Sequence, residues 1–308
     1  MKVTLWGTRG SLATPGPETI RYGGNTSCVE VQGADGTRLV LDAGTGIRRL
    51  GATLGPEAGR VDVLLTHLHM DHIQGLGFFR PLDQPGQEVH LWGPPSTTLD
   101  LRARLSRYLS PPLFPIRLRD LPSRLTLHDV PLQSFEIDGF KIVAALVCHP
   151  GPTVGYRITG DGVSMAYIPD HEPALGAHPF PDQSDWTSGF DLAAGVDLLI
   201  HDAQYSTAEY PRRVGWGHSA LPQALVFAAR AGVKRLVTFH HDPGRDDAAL
   251  DRLIEEARGT TDLPFELIPG IEGANFEIGA RSGTDSRARG AGGQLDATTR
   301  VAQPPQRP

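Results

Sequence analysis

The stretch that most constrains this chain is Val61-Asp-Val-Leu-Leu-Thr-His-Leu-His-Met-Asp-His-Ile-Gln-Gly75. It opens as a predominantly apolar run, Val61 to Leu65, of the length and branching expected of a buried strand. Four side chains able to bind a metal follow within six residues: His67, His69, Asp71 and His72. In an extended segment, positions two apart point the same way, so His67, His69 and Asp71 are expected to converge on one side. Gly75-Leu-Gly77 and Phe78-Phe79 suit a turn into a short helix packed under the loop. Imidazole and carboxylate in this density favour zinc, manganese or iron over calcium or magnesium, whose shells are built from oxygen. The ordinary alternative is histidines gathered by chance at a surface, or satisfied by hydrogen bonds in a core. A buried strand delivering four such side chains to its own end is better explained by a metal centre.

His67-x-His69-x-Asp71-His72 resembles the signature of the metallo-β-lactamase-fold hydrolases. The resemblance implies an α/β architecture, an αββα sandwich of two mixed sheets with helices on the outer faces. It also implies that His67 and His69 serve one metal, and Asp71 and His72 a second. The motif says little about substrate, so the remaining ligands and the flanking loops must decide the branch.

With 308 residues the chain can bury a substantial core in one large domain or two small ones. Its 36 glycines and 26 prolines point to many turns and long loops. The net charge of −6 tells against general electrostatic capture of nucleic acid. The two cysteines, Cys28 and Cys148, exclude a disulfide scaffold and suit a reducing compartment; each is expected to fill a core strand rather than to react. Met1-Lys-Val-Thr-Leu-Trp6 runs directly into a strand pattern without a signal peptide, and no apolar run reaches membrane-spanning length. A soluble cytoplasmic protein is expected, with no membrane partner.

Val3 to Trp6 reads as a first strand ending in Gly7-Thr-Arg-Gly-Ser11, whose small residues let backbone approach a ligand; an ordinary turn is the plainer reading. Cys28–Val31 and Arg38–Leu41 read as a hairpin about Ala34-Asp-Gly36. Asp42 follows the second strand; the resemblance implies a brace for the metal loop, the plain reading is a cap for a helix beginning at Ile47, and the two roles are compatible. Residues 97–135 break the α/β layering, with a helix candidate over 97–109 and a Pro-rich run from Pro111 to Pro115. Six arginines, at 102, 104, 107, 117, 119 and 124, meet only Asp100 and Asp120 between residues 100 and 124. They read as a solvated basic face or, more sharply, as an inserted lid or a homodimer contact offering phosphate-binding arginines.

Phe140–Val147 delivers Cys148-His149-Pro150; Val163–Ile168 ends in Pro169-Asp170-His171-Glu172; and Val196–Ile200 ends in His201-Asp-Ala-Gln-Tyr205. Gly215-Trp-Gly-His218-Ser219 leads into a helix over 220–231, with Ser219 as cap, and Val233–Phe239 delivers His240-His241-Asp242. From Ala280 apolar periodicity stops, so residues 1–280 are expected to form the hydrolase domain, with a lid-like insertion at 97–135, and 281–308 a disordered tail.

In the superfamily a downstream His at a strand end completes the first metal site, and a later strand-end Asp bridges both metals. The resemblance therefore implies His67, His69 and His149 on one metal, Asp71, His72 and His240 on the other, and Asp170 between them. His171 or Glu172 could stand in for Asp170, and His241 for His240; strand-end position favours Asp170 and His240. Two divalent transition-metal ions are expected, zinc first, with manganese or iron as alternatives. Metals held ~3.5–4 Å apart can share a hydroxide and clamp a phosphoryl oxygen.

Leu5-Trp-Gly-Thr-Arg-Gly-Ser11, Asn25-Thr-Ser27, the Asp170 strand end and Gly217-His218-Ser219 resemble the phosphodiesterase branch over residues 1–278. That branch includes ribonuclease Z and the phosphoribosyl cyclic phosphodiesterases. It implies that His218 contacts phosphate and assists the leaving oxygen; a surface or helix-cap histidine is the plain reading. Asp71, Asp170 and His218 are thus the expected catalytic residues. No long inserted arm for holding transfer RNA is seen, which with the acidic charge favours a small cyclic or nucleotide-like phosphodiester over folded RNA. A thioesterase, lactonase or β-lactamase-like hydrolase on the same metals, and a metal-binding sensor without catalysis, are the competing readings.

Overall fold

Alternation at period two decides which side of each strand meets which layer. In the computed structural model, which describes residues 1–55, 59–260 and 262–279, this pattern yields two seven-stranded sheets among the described residues. Strands β1 (Lys2–Gly7), β2 (Cys28–Gln32), β3 (Arg38–Leu41), β4 (Val61–Leu64), β5 (Glu88–Gly93) and β6 (Arg124–Asp129) come from the first half of the chain. The second half supplies β7 (Ser134–Ile137), β8 (Phe140–Leu146), β9 (Val154–Gly160), β10 (Val163–Ile168), β11 (Leu198–Asp202), β12 (Arg235–Phe239), β13 (Glu266–Pro269) and β14 (Asn275–Glu277). The sheets run β14-β1-β2-β3-β4-β5-β6 and β13-β12-β11-β10-β9-β8-β7. Each is mixed. β3 to β6 are parallel, as are β10 to β13, while the flanking pairs are antiparallel.

Strand β10 shows why the sheets stack. All six of its residues are buried; Met165 and Tyr167 face the core between the sheets, and Ala166 and Ile168 face outward. The inter-sheet core joins Val3, Leu5, Val29 and Leu41 of one sheet to Ile158, Ile200, Val237 and Phe239 of the other. Outside the first sheet, α1 (Ile47–Thr53) lays Ile47 and Leu50 on Val40 and Val63, with α3 (Leu101–Leu105) beyond. Outside the second, α4 (Phe190–Ala193), α5 (Leu221–Ala231) and α6 (Asp247–Thr260) cover Leu199 and Leu236. Each fully buried aliphatic is worth roughly 1.5–3 kcal/mol, so both faces of each sheet need a cover. The result is the αββα sandwich expected from the sequence.

Several local expectations differ. The helix expected over 97–109 is confined to α3, and residues 124–129 pair with β5 as the edge strand β6, so part of 97–135 belongs to the sheet. Asp100 caps α3 through the Ala103 amide at 2.6 Å. Ser219 does not cap α5: its hydroxyl donates to the His171 carbonyl and Ala220 holds the cap position. Cys28 is buried in β2, where burial lifts its thiol pKa well above the ordinary value, but Cys148 lies past the end of β8 and is only half-buried. No helix among the described residues is long and apolar enough to cross a membrane. The tail expected over 281–308 lies outside the described residues.

Parallel strands end their C-termini on one edge, where ligand-binding loops of such sheets gather. Asp42 follows β3, His67 lies past β4, Asp170 follows β10 and His240 follows β12; Asp202 closes β11. That shared edge carries the site.

Candidate metal centre

The motif does not run on as an extended segment. After β4 the chain bends at Thr66, is still extended at His69, and then enters a single helical turn, α2 (Met70–Ile73), so Asp71 and His72 project from a helix. His67, His69 and His149 form one group, and Asp71, His72, Asp170 and His240 a second, with the ligand-type atoms of each within 4.8 Å of one another. His69 Nδ1 lies 3.2 Å from His149 Nε2. Asp170 faces both groups. Its Oδ2 is 3.8 Å from His67 Nε2, 3.9 Å from His149 Nε2 and 3.2 Å from His240 Nε2, and its Oδ1 is 3.0 Å from His72 Nε2. All seven side chains singled out as metal ligands are therefore brought together.

Outer contacts fix which nitrogen the rings of His72, His149 and His240 turn inward. Asp42 has a positive φ of 59°, and its carboxylate accepts from the Thr66 amide (2.7 Å) and hydroxyl and from Tyr167 Oη (2.9 Å). Its Oδ2 also meets His72 Nδ1 at 2.8 Å, which commits that nitrogen and leaves Nε2 for the cluster. Asp42 is thus the brace and not the cap of α1, whose cap position is Gly46. The Gly217 carbonyl holds His149 Nδ1 at 2.9 Å, and Gln204 Oε1 holds His240 Nδ1 at 3.1 Å. The N-terminal loop takes part as well: the Ser11 amide donates to Asp71 Oδ2 at 2.7 Å.

The donor set fits a divalent metal. His67 Nε2, His72 Nε2 and Asp170 Oδ1 are buried and make no hydrogen bond among the described residues, although they face one another. Orphaned buried polar atoms are costly unless something pairs with them. Burial would raise both carboxyl pKa values, yet the surrounding histidines hold Asp71 and Asp170 far below the carboxylate range. Burial opposes charging His240, but Asp170 and Asp71 outweigh it and raise its pKa to about 9; His72 moves upward for the same reason. Burial lowers His149 to about 4 and pushes His67 down, leaving both as neutral donors. Two paired carboxylates among close-packed imidazoles call for cations, and bound metals displace exactly such protons from their ligands.

The alternatives considered for two ligands point elsewhere. His171 Nδ1 meets His201 Nε2 at 2.8 Å under Phe227, and Glu172 accepts from Tyr210 Oη and from the amides of Gly215 and Gly217. His241 Nε2 is bound to the Gly270 carbonyl at 2.8 Å, and burial depresses its pKa to about 3.

His218 lies beside the cluster, stacked on His240 (4.7 Å between centroids) and edge-on to His149 (5.0 Å). Its Nδ1 meets Asp202 Oδ2 at 2.6 Å. Asp202, fully buried, also accepts from the amides of His171, Gln204 and Ser219. Sequence reasoning missed Asp202 and Gln204 as parts of the site, and named Glu172 only as a stand-in for Asp170, not as the anchor of the loop over 215–217. For Asp202 a signal existed, since it ends an apolar strand as Asp170 and His240 follow theirs.

Gly10 shows how tightly the loop fits. A Cβ on Gly10 would collide with the His240 ring at Nδ1, and His240 is itself held at a positive φ of 58°. Gly10→Ala is expected to cost roughly 1–3 kcal/mol of stability and to weaken metal retention. Urea unfolding and metal analysis check both; a variant matching the wild type in each would show that the loop yields freely.

Residues 37–241 match the β-lactamase superfamily domain, and the chain belongs to that superfamily. It is 26% identical to a protein named ribonuclease Z of Natronomonas pharaonis, covering 86% of this chain and 98% of the relative. In fold it resembles the metallo-β-lactamase fold protein YhfI of Bacillus subtilis, with a TM-score of 0.66 and 21% identity over 90% of this chain and 99% of the other. A diphosphatase of the PhnP family gives a TM-score of 0.62 at 21% identity, covering 90% and 97%.

Proposed function

We propose that the chain is a binuclear metal-dependent phosphodiesterase acting on a small cyclic or nucleotide-like phosphodiester. The observation that carries this reading is Asp170, placed between a three-histidine group and an Asp71–His72–His240 group, with the His218–Asp202 pair alongside. The ribonuclease Z relative supports phosphodiester chemistry over other reactions of the superfamily. His67, His69 and His149 would hold one ion, Asp71, His72 and His240 the second, with Asp170 shared. Zinc is the first choice for this donor set, with manganese or iron next. Bound there, divalent ions supply an acidified water and neutralise charge on the phosphoryl oxygens.

The remaining chemistry belongs to the chain. Attack on phosphorus breaks the bond to the leaving oxygen, which must acquire a proton if it departs from an alkyl group. His218 turns Nδ1 to Asp202 and offers Nε2–H to that oxygen; Asp202 holds the ring's orientation. Hydrolysis of a carbonyl substrate with a good leaving group has less need of such an acid. The free cysteines fit a reducing, cytoplasmic setting.

Metal-loaded protein should hydrolyse bis(p-nitrophenyl) phosphate, lose that activity to a chelator, and act on p-nitrophenyl phosphate far more slowly. Robust thioester or lactam turnover without diesterase activity would move the assignment to carbonyl hydrolysis. Metal binding with no turnover on any of these would favour a sensor.

A further inference from the structure

The loop before His218 carries more than that histidine. Gly215 and Gly217 both adopt left-handed backbone, with φ of 84° and 83°, and the buried Glu172 carboxylate accepts from both amides and from Tyr210 Oη. Charge-assisted bonds of this kind are the strong ones, so the loop is clamped from beneath. Gly217 cannot carry a side chain, because a Cβ would strike His149, and its carbonyl holds that ring. The loop's position is therefore locked to the metal centre.

At the tip of this clamped loop, Trp216 is 59% exposed. A large aromatic held in water gains little for the fold, and Trp and Arg are among the residue types enriched at recognition hot spots. Arg213 completes the feature. Its guanidinium stands over the buried Tyr205 ring (4.8 Å to the centroid) and also over the Trp216 ring (5.4 Å). Tyr205 in turn sets its ring edge-on to His218 at 5.9 Å. Among the described residues Asp242, 3.7 Å away, is the carboxylate paired with Arg213; the guanidinium also bonds the Tyr205 side chain, and the Arg213 side chain remains 36% exposed. Arg213 is thus pre-oriented by two rings yet keeps donors free for an anion.

We infer that Arg213 and Trp216 are specificity-determining residues that recognise the part of the substrate beyond the scissile phosphate: Trp216 stacks a nucleobase and Arg213 binds a second phosphate next to it. This rests on the phosphodiesterase reading and narrows its substrate class to a nucleotide diester with an additional phosphate, such as the end of an oligonucleotide. Base–aromatic stacking tolerates any base, so selectivity for nucleotides over other diesters is expected without base specificity.

The test uses the metal-loaded full chain and four substrates: methyl p-nitrophenyl phosphate, with neither base nor second phosphate; ApA, with bases only; and pApA and ApAp, each with one added phosphate. Trp216→Ala is expected to lower the kcat/KM ratio of ApA to methyl p-nitrophenyl phosphate about tenfold or more, mainly through KM. Trp216→Phe should restore most of that ratio. Arg213→Ala is expected to lower by a similar factor the advantage of pApA or ApAp over ApA, with Arg213→Lys recovering part of it. Ratios unchanged in the variants would overturn the inference, including the case of an equal loss on every substrate, which marks a structural role. Wild-type turnover of methyl p-nitrophenyl phosphate with none of the dinucleotides would also overturn it while leaving the phosphodiesterase reading intact. Absence of turnover on all four would remove both.

Discussion

His218→Ala is expected to keep its full metal content yet lose about 10²–10⁴ in kcat on a phosphodiester with an alkyl leaving group. The geometry behind this is a ring stacked on His240 and tied by Nδ1 to Asp202 at 2.6 Å, with Asp170 Oδ2 farther off at 3.9 Å. The loss should shrink on an aryl ester such as bis(p-nitrophenyl) phosphate, because p-nitrophenolate departs with little help from a proton. Asp202→Asn should reproduce the same leaving-group dependence in weaker form, since an amide that can donate as well as accept no longer fixes which ring nitrogen of His218 keeps its hydrogen. Loss of metal from His218→Ala would instead make it a ligand. Equal loss on both esters would assign it to binding, and an unchanged rate would take it out of the site.

Removing Asp170 should have the largest effect on the metals. Elemental analysis of the wild type is expected to give about two divalent ions per chain. Asp170→Ala takes away the carboxylate that faces both groups and leaves the orphaned nitrogens of His67 and His72 without their shared counter-charge. Metal and activity should then fall together on every substrate, and His240→Ala should behave alike. Asp42→Ala provides the scale. It frees His72 Nδ1 and the Thr66 amide without removing a ligand, and outer partners of this kind are worth roughly 10–100-fold in metal affinity. Asp170→Ala should exceed that. A wild type binding one ion, with Asp71→Ala leaving the number unchanged, would sink the binuclear arrangement.

The division between what was legible in the chain and what was not follows the range of the interactions. Strand β10 announced itself because six consecutive residues suit burial on both faces, and the same holds for the other central strands. The seven ligand-type residues were legible because the motif is local and each distant member follows an apolar strand; parallel strands carry such positions to one edge without further instruction. The helix expected over 97–109 was overestimated because periodicity there persists past the point where α3 ends, and β6 was missed because an edge strand with one solvated face carries a weak pattern.

Other features have no local signature. Nothing about Gly10 says that His240, 230 positions later, will sit where its side chain would be. Ser219 has the chemistry of a helix cap, but a carbonyl delivered by the loop after β10 captures its hydroxyl. Asp202 could be read as one more strand-end carboxylate; its 2.6 Å contact with His218 and its bonds from the amides of His171, Gln204 and Ser219 arise only in the folded chain. The amino-acid sequence by itself determined the sandwich and the seven ligand-type residues of the site, because hydrophobic period and ligand spacing act over a few residues. Which imidazole nitrogen faces the centre, which carboxylate sits between the histidine groups and which pairs with His218, and where Trp216 stands were decided by the tertiary structure, since each depends on a hydrogen bond or a close approach between segments that only the stacked sheets bring together.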